Sequence, residues 1–391
     1  MKKSYKYKIK PTKNQQRILL QFFGCCRFIY NWGLDRKINL WKNEQKSVSY
    51  IELSKEMTSL KKTEEYKWLN DCSCESLQQS LRCLDNAYTD FFKAKKGFPK
   101  FKSKKKSKDV CKFVSRIDFD FENWKVKLPK LGWVKLCKNK TFDIEKVKLG
   151  TLTVTKDKCG EYWITIVTDD GKLTISKAKI RKETTVGVDL GIKDFAILSD
   201  GTKYGNPKFL EKEQWRLKNL QKRFAKSKKD SKRHERLRLK IARLHRKIKN
   251  KRGFFLHNLS SLLSKQYDTI CLEDLNVEGM MKNHKLAKSI QSASWSEFVR
   301  QITYKTEWNG KNLIFIGRFE PSTKMCSACG YINNDITLNV REWICPECGT
   351  HHDRDVNAAI NIRDFGLHPQ SLVGIEIKIP QINGIKMDGE G

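Results

Sequence analysis

The chain has 391 residues, of which 39% are apolar and 10% aromatic, as expected of a folded protein with two or three domains. Its 79 Lys and Arg against 44 Asp and Glu leave a net charge of +35, which favours a polyanionic partner, nucleic acid first. No apolar run reaches the roughly 18 residues of a membrane span, and the odd number of cysteines argues against a disulfide framework. We therefore expect a cytoplasmic protein with no membrane partner.

The chain begins with a predicted strand, where Tyr5, Tyr7 and Ile9 alternate with lysines. The stretch from Thr12 to Gln15 has the pattern of a helix-capping box. Apolar residues then recur at helical spacing up to about residue 92. Residues 11–92 are therefore predicted to form a helical domain inserted after the first strand.

The stretch from Lys93 to Lys108 contains nine lysines in sixteen residues and no acid. A solvated linker is the simplest interpretation of such a charge run. Two phenylalanines beside a proline instead favour contact with nucleic acid through stacked bases and phosphates. The contacts predicted on this basis are Lys96, Phe98, Lys100, Phe101 and Lys102.

Between residues 113 and 176 the apolar period becomes two, which predicts an antiparallel sheet. Leu152 and Val154 are expected to pair with Ile164 and Ile166 across a short turn. We expect a small barrel that the strand at residues 3–9 joins.

The most basic segment runs from Lys212 to Arg252, with nineteen Lys and Arg and three acids. Two apolar stripes at helical spacing predict a helical hairpin with an apolar seam and a basic outer face. A solvated face is the alternative, but this charge density favours phosphate contacts. The predicted contacts are Arg223, Arg236, Arg243, Arg246 and Lys247.

Two apolar strands end in acids, the first at Asp189 and the second at Glu273 and Asp274. An acid in an apolar strand costs several kcal/mol unless it is paired, and a bound cation is the usual partner. An ordinary turn after Asp189 is the alternative. Since side chains alternate along a strand, only one acid of the second strand can face Asp189. Gly187 and Gly191 predict room for backbone and phosphate to approach closely.

Two Cys-x2-Cys-Gly knuckles are separated by fifteen residues, the spacing of a four-cysteine zinc site. The predicted ligands of one structural zinc ion are Cys326, Cys329, Cys345 and Cys348. His351 and His352 follow directly but are not needed as ligands, so we interpret them as contacts or surface residues. A redox pair is the competing interpretation, which the second knuckle disfavours.

Asp353 and Asp355 open a helix-competent segment just beyond the cysteines. Either acid could simply cap the helix. The alternative is a third carboxylate presented to the two strand acids. Three carboxylates can hold two Mg2+ ions roughly 3.5–4 Å apart, the arrangement that cleaves phosphodiesters in nucleases.

These motifs resemble a known family. The strand acids and the helix acid resemble the three motifs of a RuvC-type nuclease domain, and the zinc knuckles precede the third motif as in the transposon-encoded TnpB proteins. The segments that carry this resemblance, in chain order, are 10–16, 97–102, 188–191, 272–275 and 353–359. Only the tail after about Phe365 has no counterpart.

The resemblance implies a prokaryotic, nucleoid-associated, RNA-guided DNA endonuclease related to the ancestors of type V CRISPR effectors. It implies Asp189, Glu273 and Asp355 as catalytic acids that bind two Mg2+ ions. Its partners would be a guide RNA from the transposon end and a double-stranded DNA target with a short flanking motif.

The resemblance also implies a multidomain α+β architecture. The expected domains are a wedge β-barrel at 1–10 and 110–182, a helical recognition domain with basic linker at 11–109, an RNase-H-like RuvC nuclease domain at 183–322 and 350–365, a zinc ribbon at 323–349, and a tail at 366–391. Isoleucines alternate at 375, 377 and 379 in that tail, which could be a strand or disordered.

Three other functions remain open on these residues. One is an RNA-guided repressor that binds DNA without cutting, which the intact acids argue against. Another is a DNA transposase or recombinase. The last is a junction nuclease that acts without RNA.

Overall fold

A computed structural model describes residues 1–94, 96–171, 175–318, 320–337 and 340–368. The chain forms two compact units, Met1–Leu173 and one that begins at Thr174. The alternating isoleucines of the tail and the last residue of the strand predicted at 312–319 lie outside the described residues. No helix in the described ranges is both long enough and apolar enough to cross a membrane.

The first unit combines a seven-stranded sheet with helices that precede most of it in the chain. Its elements are β1 Lys2–Lys10, α1 Lys13–Glu44, α2 Tyr50–Leu60, a 3-10 helix Glu64–Asp71, α3 Cys74–Lys93, β2 Asp109–Phe113, β3 Asp118–Asp120, β4 Lys125–Leu128, β5 Gly132–Leu136, β6 Lys148–Lys156 and β7 Tyr162–Asp169. The strands are antiparallel and lie in the order β2-β6-β7-β1-β5-β4-β3.

The strand pairing follows the alternation in the sequence. Leu152 pairs with Ile166 and Val154 with Ile164, as predicted. Strand β1 joins the sheet between β7 and β5, which confirms the place expected for the opening strand. Among the described residues no ladder joins the outer strands β2 and β3, so closure into a barrel stays a prediction.

Helix α1 starts where the capping signal predicts. The Thr12 hydroxyl accepts a hydrogen bond from the Gln15 amide, and the Gln15 side chain accepts one from the Thr12 amide, a reciprocal capping box. Buried residues of helices and sheet, among them Phe22, Leu81 and Phe113, form one apolar cluster. The helical segment and the sheet therefore share a hydrophobic core.

The second unit contains a five-stranded sheet, a helical hairpin and a small two-stranded sheet. Its elements are a 3-10 helix Lys182–Thr184, β8 Thr185–Asp189, β9 Asp194–Leu198, β10 Lys203–Gly205, α4 Phe209–Ala225, α5 Lys232–Gln266, β11 Thr269–Glu273, α6 Val277–Met280, α7 His284–Ala293, α8 Trp295–Trp308, β12 Asn312–Ile316, β13 Glu342–Ile344, β14 His351–Asp353 and α9 Arg354–Leu367. Helices α4 and α5 are the predicted hairpin, and Leu217, Leu244 and Ile248 form its buried seam.

The larger sheet of this unit has the order β10-β9-β8-β11-β12. Strands β10, β9 and β8 are antiparallel neighbours, whereas β11 runs parallel to both β8 and β12. The first four residues of β8 and of β11 are buried, as expected of strands covered on both faces. The carboxyl ends of these two parallel strands meet at one edge of the sheet.

Helix α9 lies directly against β8 and β11 because glycines leave room for it. A Cβ atom added at Gly187 would lie 2.0 Å from the carbonyl oxygen of Ala359, and one added at Gly366 would lie 2.4 Å from Sγ of Cys271. Gly191 likewise abuts the carbonyl of Asp194, at 2.7 Å from a built Cβ. The close approach of backbone expected at Gly187 and Gly191 is therefore confirmed, and the approach of phosphate stays a prediction.

We expect Gly187→Ala to destabilise the second unit by about 3 kcal/mol or more, because the neighbouring atoms are helix backbone that cannot rotate away. Gly253→Ala is the matched control, since Gly253 lies within α5 and nothing is within 4 Å of a Cβ built there. That control should be neutral or stabilising by up to about 1 kcal/mol. Chemical denaturation followed by circular dichroism measures both, and equal stability of the two variants would contradict the close packing.

Candidate active site and metal centre

The three predicted acids lie at one edge of the second unit's sheet. Asp189 is the last residue of β8 and Glu273 the last of β11, and the parallel register pairs the residues just before them, Val188 and Leu272. Asp355 lies in the first turn of α9, the helix that packs on both strands. Residues far apart in the chain are thus brought to one place by the ends of two strands and one helix.

The charges of Glu273 and Asp355 act on Asp189. The pKa of Asp189 is raised to about 7, first by burial and then by the negative charges of Glu273 and Asp355. The guanidinium of Arg354 opposes this rise. Without a bound cation, Asp189 therefore holds its proton up to about neutral pH, and a divalent cation would relieve the repulsion.

The structure decides which acid of the second strand faces Asp189. Asp274, the residue after β11, is exposed and accepts a hydrogen bond from Nε of Arg318 at 2.8 Å. Glu273 faces Asp189, and its Oε1 accepts a hydrogen bond from the hydroxyl of Ser322 at 2.5 Å. The alternation of side chains along β11 explains the division.

The two acids at the start of α9, Asp353 and Asp355, also have different roles. Asp353 is the N-cap of α9, and its Oδ1 accepts hydrogen bonds from the backbone amides of Asp355 and Val356, each at 3.0 Å. It also pairs with Lys203 at 2.5 Å. Asp355 does not cap the helix, so the capping interpretation holds for Asp353. The carboxylate presented to the strand acids is that of Asp355.

Two arginines hold Asp355. Nη2 of Arg354 lies 2.9 Å from its Oδ1, and Nη1 of Arg341 lies 3.1 Å from its Oδ2.

In the parts of the chain that the structure describes, the cysteine cluster is the one group of three or more metal-binding side chains whose ligand atoms all lie within 4.8 Å. The three carboxylates are therefore neighbours whose oxygens do not converge as closely as the four sulfurs do.

The four cysteines form a compact set of sulfurs. Cys326 and Cys348 are 3.7 Å apart between Sγ atoms, and Cys329 and Cys345 are 3.6 Å apart. A tetrahedral zinc ion with Zn–S bonds of about 2.3 Å places its sulfurs about 3.8 Å apart, so this donor set fits zinc. Nε2 of His352 lies 3.0 Å from Sγ of Cys326, which makes this histidine a contact of the cluster, as expected.

A short segment joins the cysteine cluster to the acids. Asn357 of α9 accepts a hydrogen bond from the amide of Ser327 at 2.9 Å. The side-chain amide of Asn361 donates to the carbonyls of Ser322 and Met325, both at 2.7 Å. Both asparagines are 1% exposed. Since Ser322 also binds Glu273, residues 322–327 connect the first cysteine knuckle, the second acid and the helix of the third acid.

The predicted nucleic-acid contacts of the first unit divide into engaged and exposed side chains. Lys96 pairs with Asp90 at 2.8 Å, and Phe98 packs edge-on against Tyr88 and Phe91. Nζ of Lys102 lies 3.4 Å from the ring centre of Tyr30, which gives this lysine a structural role. Lys100 and Phe101 are exposed, and Phe98 is exposed too despite its ring contacts.

The predicted nucleic-acid contacts of the hairpin divide into residues that line a groove and residues that do not. Arg223, Arg243 and Lys247 line one groove between α4 and α5, and neither Arg236 nor Arg246 lines it. Sequence reasoning missed Trp215, an exposed residue of the same groove. The sequence did carry a signal for this tryptophan, because it lies on the basic face of the hairpin.

In buffer without divalent cations, we expect the melting temperature of the wild type, relative to Asp189→Asn, to fall as pH rises from about 4 to about 7. The folded pKa of about 7 exceeds the ordinary value of 3.8, so the folded state binds an extra proton in this window and loses that contribution above it. Asp274→Asn is the control, since that carboxylate is exposed and pairs with Arg318. If the difference in melting temperature between the wild type and Asp189→Asn did not change with pH, the raised pKa of Asp189 would be contradicted.

We expect Cys345→Ser to remove bound zinc and to lower the yield of folded protein, because three thiolates leave the tetrahedron open. Cys137→Ser is the control, as Cys137 lies in the first unit, outside the cluster. Elemental analysis and melting curves measure both variants. Equal zinc content in the two variants would show that Cys345 is not a zinc ligand.

Three family models match the chain. One described as a probable transposase, OrfB_IS605, matches residues 165–284, and one described as a Cas12f1-like TNB domain matches residues 295–362. A model described as a helix-turn-helix domain matches residues 1–46, which here form strand β1 and helix α1.

Relatives match nearly the whole chain. A Streptomyces pristinaespiralis protein named RNA-guided DNA endonuclease is 37% identical, over 94% of this chain and 90% of its own length. The Escherichia coli K12 protein named RNA-guided DNA endonuclease InsQ is 31% identical, over 93% and 92%. The TnpB-like protein L79 of Acanthamoeba polyphaga mimivirus is 24% identical, over 94% and 74%.

A solved structure shares the fold. A cryo-EM structure of a Cas12f1-sgRNA-target DNA complex contains a chain that matches 95% of this one, over 99% of its own length, with a TM-score of 0.57 and 14% identity. Together with the relatives, which match this chain almost from end to end, these similarities show that the chain belongs to the TnpB family of transposon-encoded proteins.

Proposed function

We propose that this chain is an RNA-guided DNA endonuclease that cuts by metal-assisted hydrolysis at Asp189, Glu273 and Asp355. The observation that carries the proposal is the raised pKa of Asp189, caused by burial and by two further acids at the same sheet edge. Repulsive clusters of this kind destabilise a fold, and they concentrate at functional sites. The relatives' names support the reaction class.

The sheet topology supports the same proposal. Three antiparallel strands followed by two parallel ones, in the order β10-β9-β8-β11-β12, is the arrangement of RNase-H-like nucleases, to which RuvC belongs. In sheets with parallel strands, ligands bind outside the carboxyl ends of the strands. Asp189 and Glu273 occupy two such ends.

The donor set fits divalent magnesium, because carboxylate oxygens are the ligands that this ion prefers. Asp189, Glu273 and Asp355 would hold two ions, which when bound lower the pKa of a water molecule and stabilise the leaving oxyanion. The chain's own residues prepare the site. Ser322 orients Glu273 through its hydroxyl, while Arg341 and Arg354 fix the carboxylate of Asp355.

The remaining proposals concern partners. The net charge of +35 suits a large polyanion, and the relatives named RNA-guided point to a guide RNA transcribed from the transposon end. The target would be double-stranded DNA with a short flanking motif, read by the protein beside RNA–DNA pairing. The four cysteines would hold one structural zinc ion.

With its guide RNA and Mg2+, the wild type should cut a matching plasmid, and Asp189→Ala should cut it at least about 10²–10³-fold more slowly. Binding of RNA and of target DNA should survive, because Asp189 contributes a metal ligand and no phosphate contact. Asp274→Ala is the matched control and should cut within a few-fold of the wild type. Gel-based cleavage and filter binding measure both steps.

Other outcomes would contradict the proposal in different ways. Normal cutting by Asp189→Ala would show that the catalytic assignment is wrong. Cutting of unguided DNA by protein free of RNA would indicate a junction nuclease. A wild type that binds guided targets but never cuts them would indicate a repressor.

A further inference from the structure

The helical hairpin carries a groove outside the proposed active site. The groove lies between α4 and α5 and has a volume of about 520 Å³. That volume is within the range of pockets that hold a small organic ligand. The residues lining the groove are Trp215, Arg216, Asn219, Leu220, Arg223, Lys240, Arg243, Leu244 and Lys247.

The aromatic residue at the groove is unusually open. Trp215 is 77% exposed, the largest value for any large apolar side chain in the described parts of the chain. No aromatic ring or cation stacks on it among those residues. Leu220 and Leu244 add an apolar floor next to the indole. A flat ring beside an apolar floor suits another flat ring as ligand.

The charges around the indole are all of one sign. Five cations line the groove, and no acid does. Lys247 pairs with Glu213 at 3.2 Å. Within the described ranges Arg216, Arg223, Lys240 and Arg243 have neither an ion pair nor a hydrogen bond, although each is exposed and able to bind phosphate. Phosphates on both sides of a stacked base would satisfy this pattern.

We propose that this groove binds a single-stranded stretch of nucleic acid, with one unpaired base stacked on Trp215 and its flanking phosphates bound by the arginines. A duplex offers phosphates but hides its base faces by internal stacking, so it would leave the indole without a partner. Alternation of aromatic and cationic groups is typical of single-strand binding surfaces. The inference rests on the proposed function only for nucleic acid as the partner, and it does not involve the carboxylates.

The first experiment locates the base. The full-length protein is irradiated with a pentaribonucleotide that carries 5-iodouridine at its centre, and the cross-linked peptide is identified by mass spectrometry. The expected cross-link is at Trp215. Cross-links confined to other residues would overturn the proposal. A pentadeoxyribonucleotide arm with 5-iododeoxyuridine tells whether RNA or DNA is preferred, and a cross-link at Trp215 in either arm supports the groove.

The second experiment separates stacking from charge. Affinity for the unmodified pentanucleotides is measured against salt concentration for Trp215→Ala, Trp215→Phe and Arg243→Ala. Trp215→Ala should weaken binding about tenfold with the salt dependence unchanged, and Trp215→Phe should restore most of the affinity. Arg243→Ala should lower the slope of log affinity against log salt by about 0.7, the value for one phosphate contact on a single strand.

Matched controls give this measurement its meaning. Trp41 is 56% exposed on α1, and Arg233 is exposed on α5 ten residues before Arg243, so Trp41→Ala and Arg233→Ala should leave pentanucleotide binding unchanged. The proposal would be overturned if Trp215→Ala and Trp41→Ala weakened pentanucleotide binding equally. It would also be overturned if Trp215→Ala weakened binding of a five-base-pair duplex as much as it weakens binding of the single strands.

The guided cleavage assay keeps the two proposals distinguishable. If the wild type cuts guided targets while Trp215→Ala binds pentanucleotides normally, the groove inference fails and the proposed function stands. If the wild type never cuts but binds pentanucleotides through Trp215, the proposed catalysis fails and the groove inference stands.

Discussion

The contact between the backbone of α9 and strand β8 at Gly187 is the constraint on which the candidate site depends. Only a residue without a side chain lets Ala359 and Arg363 come this close to the strand. The same helix carries Asp355 in its first turn, so its distance from the sheet sets the distance of the third acid from the other two. A second close approach, at Gly366 over Cys271, holds the far end of the helix. The geometry of the acids is thus a consequence of backbone packing.

Hydrogen bonding extends this constraint to the cysteine cluster. Asn357 and Asn361 are buried on α9 and bind the backbone of residues 322–327, the segment that contains the first cysteine and the serine that contacts Glu273. Buried amides of this kind are costly unless every group is paired, and here their partners are backbone groups of that segment. The cysteine cluster therefore helps to define the positions of two of the acids. This gives the insertion between β12 and α9 a structural reason.

The charges of the second unit are arranged in two contrasting ways. At the sheet edge the acids are close together and only partly compensated by Arg354 and Arg341, so the repulsion that raises the pKa of Asp189 persists until a cation binds. On the hairpin, four cations of one groove have no compensating acid within the described residues. Compensated charges keep a site folded until its ligand arrives, whereas uncompensated ones raise the local potential and attract a polyanion. The large net charge of the chain is therefore not spread evenly.

Local patterns in the sequence determined the elements, because they depend on neighbours in the chain. The capping box at Thr12, the pairing of Leu152 with Ile166, the apolar seam of the hairpin and the cysteine spacing were all predictable in this way. The strand acids were predictable as candidates because a carboxylate at the end of a buried strand needs a partner. Only the tertiary structure decided which acids meet. Glu273 and Asp274 are one position apart, and the strand decides which of the two faces Asp189. Asp353 and Asp355 are two positions apart, and the helix cap engages Asp353 and leaves Asp355 for the site. It alone also showed that Lys102 is engaged with Tyr30, that Trp215 is exposed beside unpaired arginines, and that Gly187 makes room for a helix. These features depend on contacts between residues far apart in the chain, which no local pattern encodes.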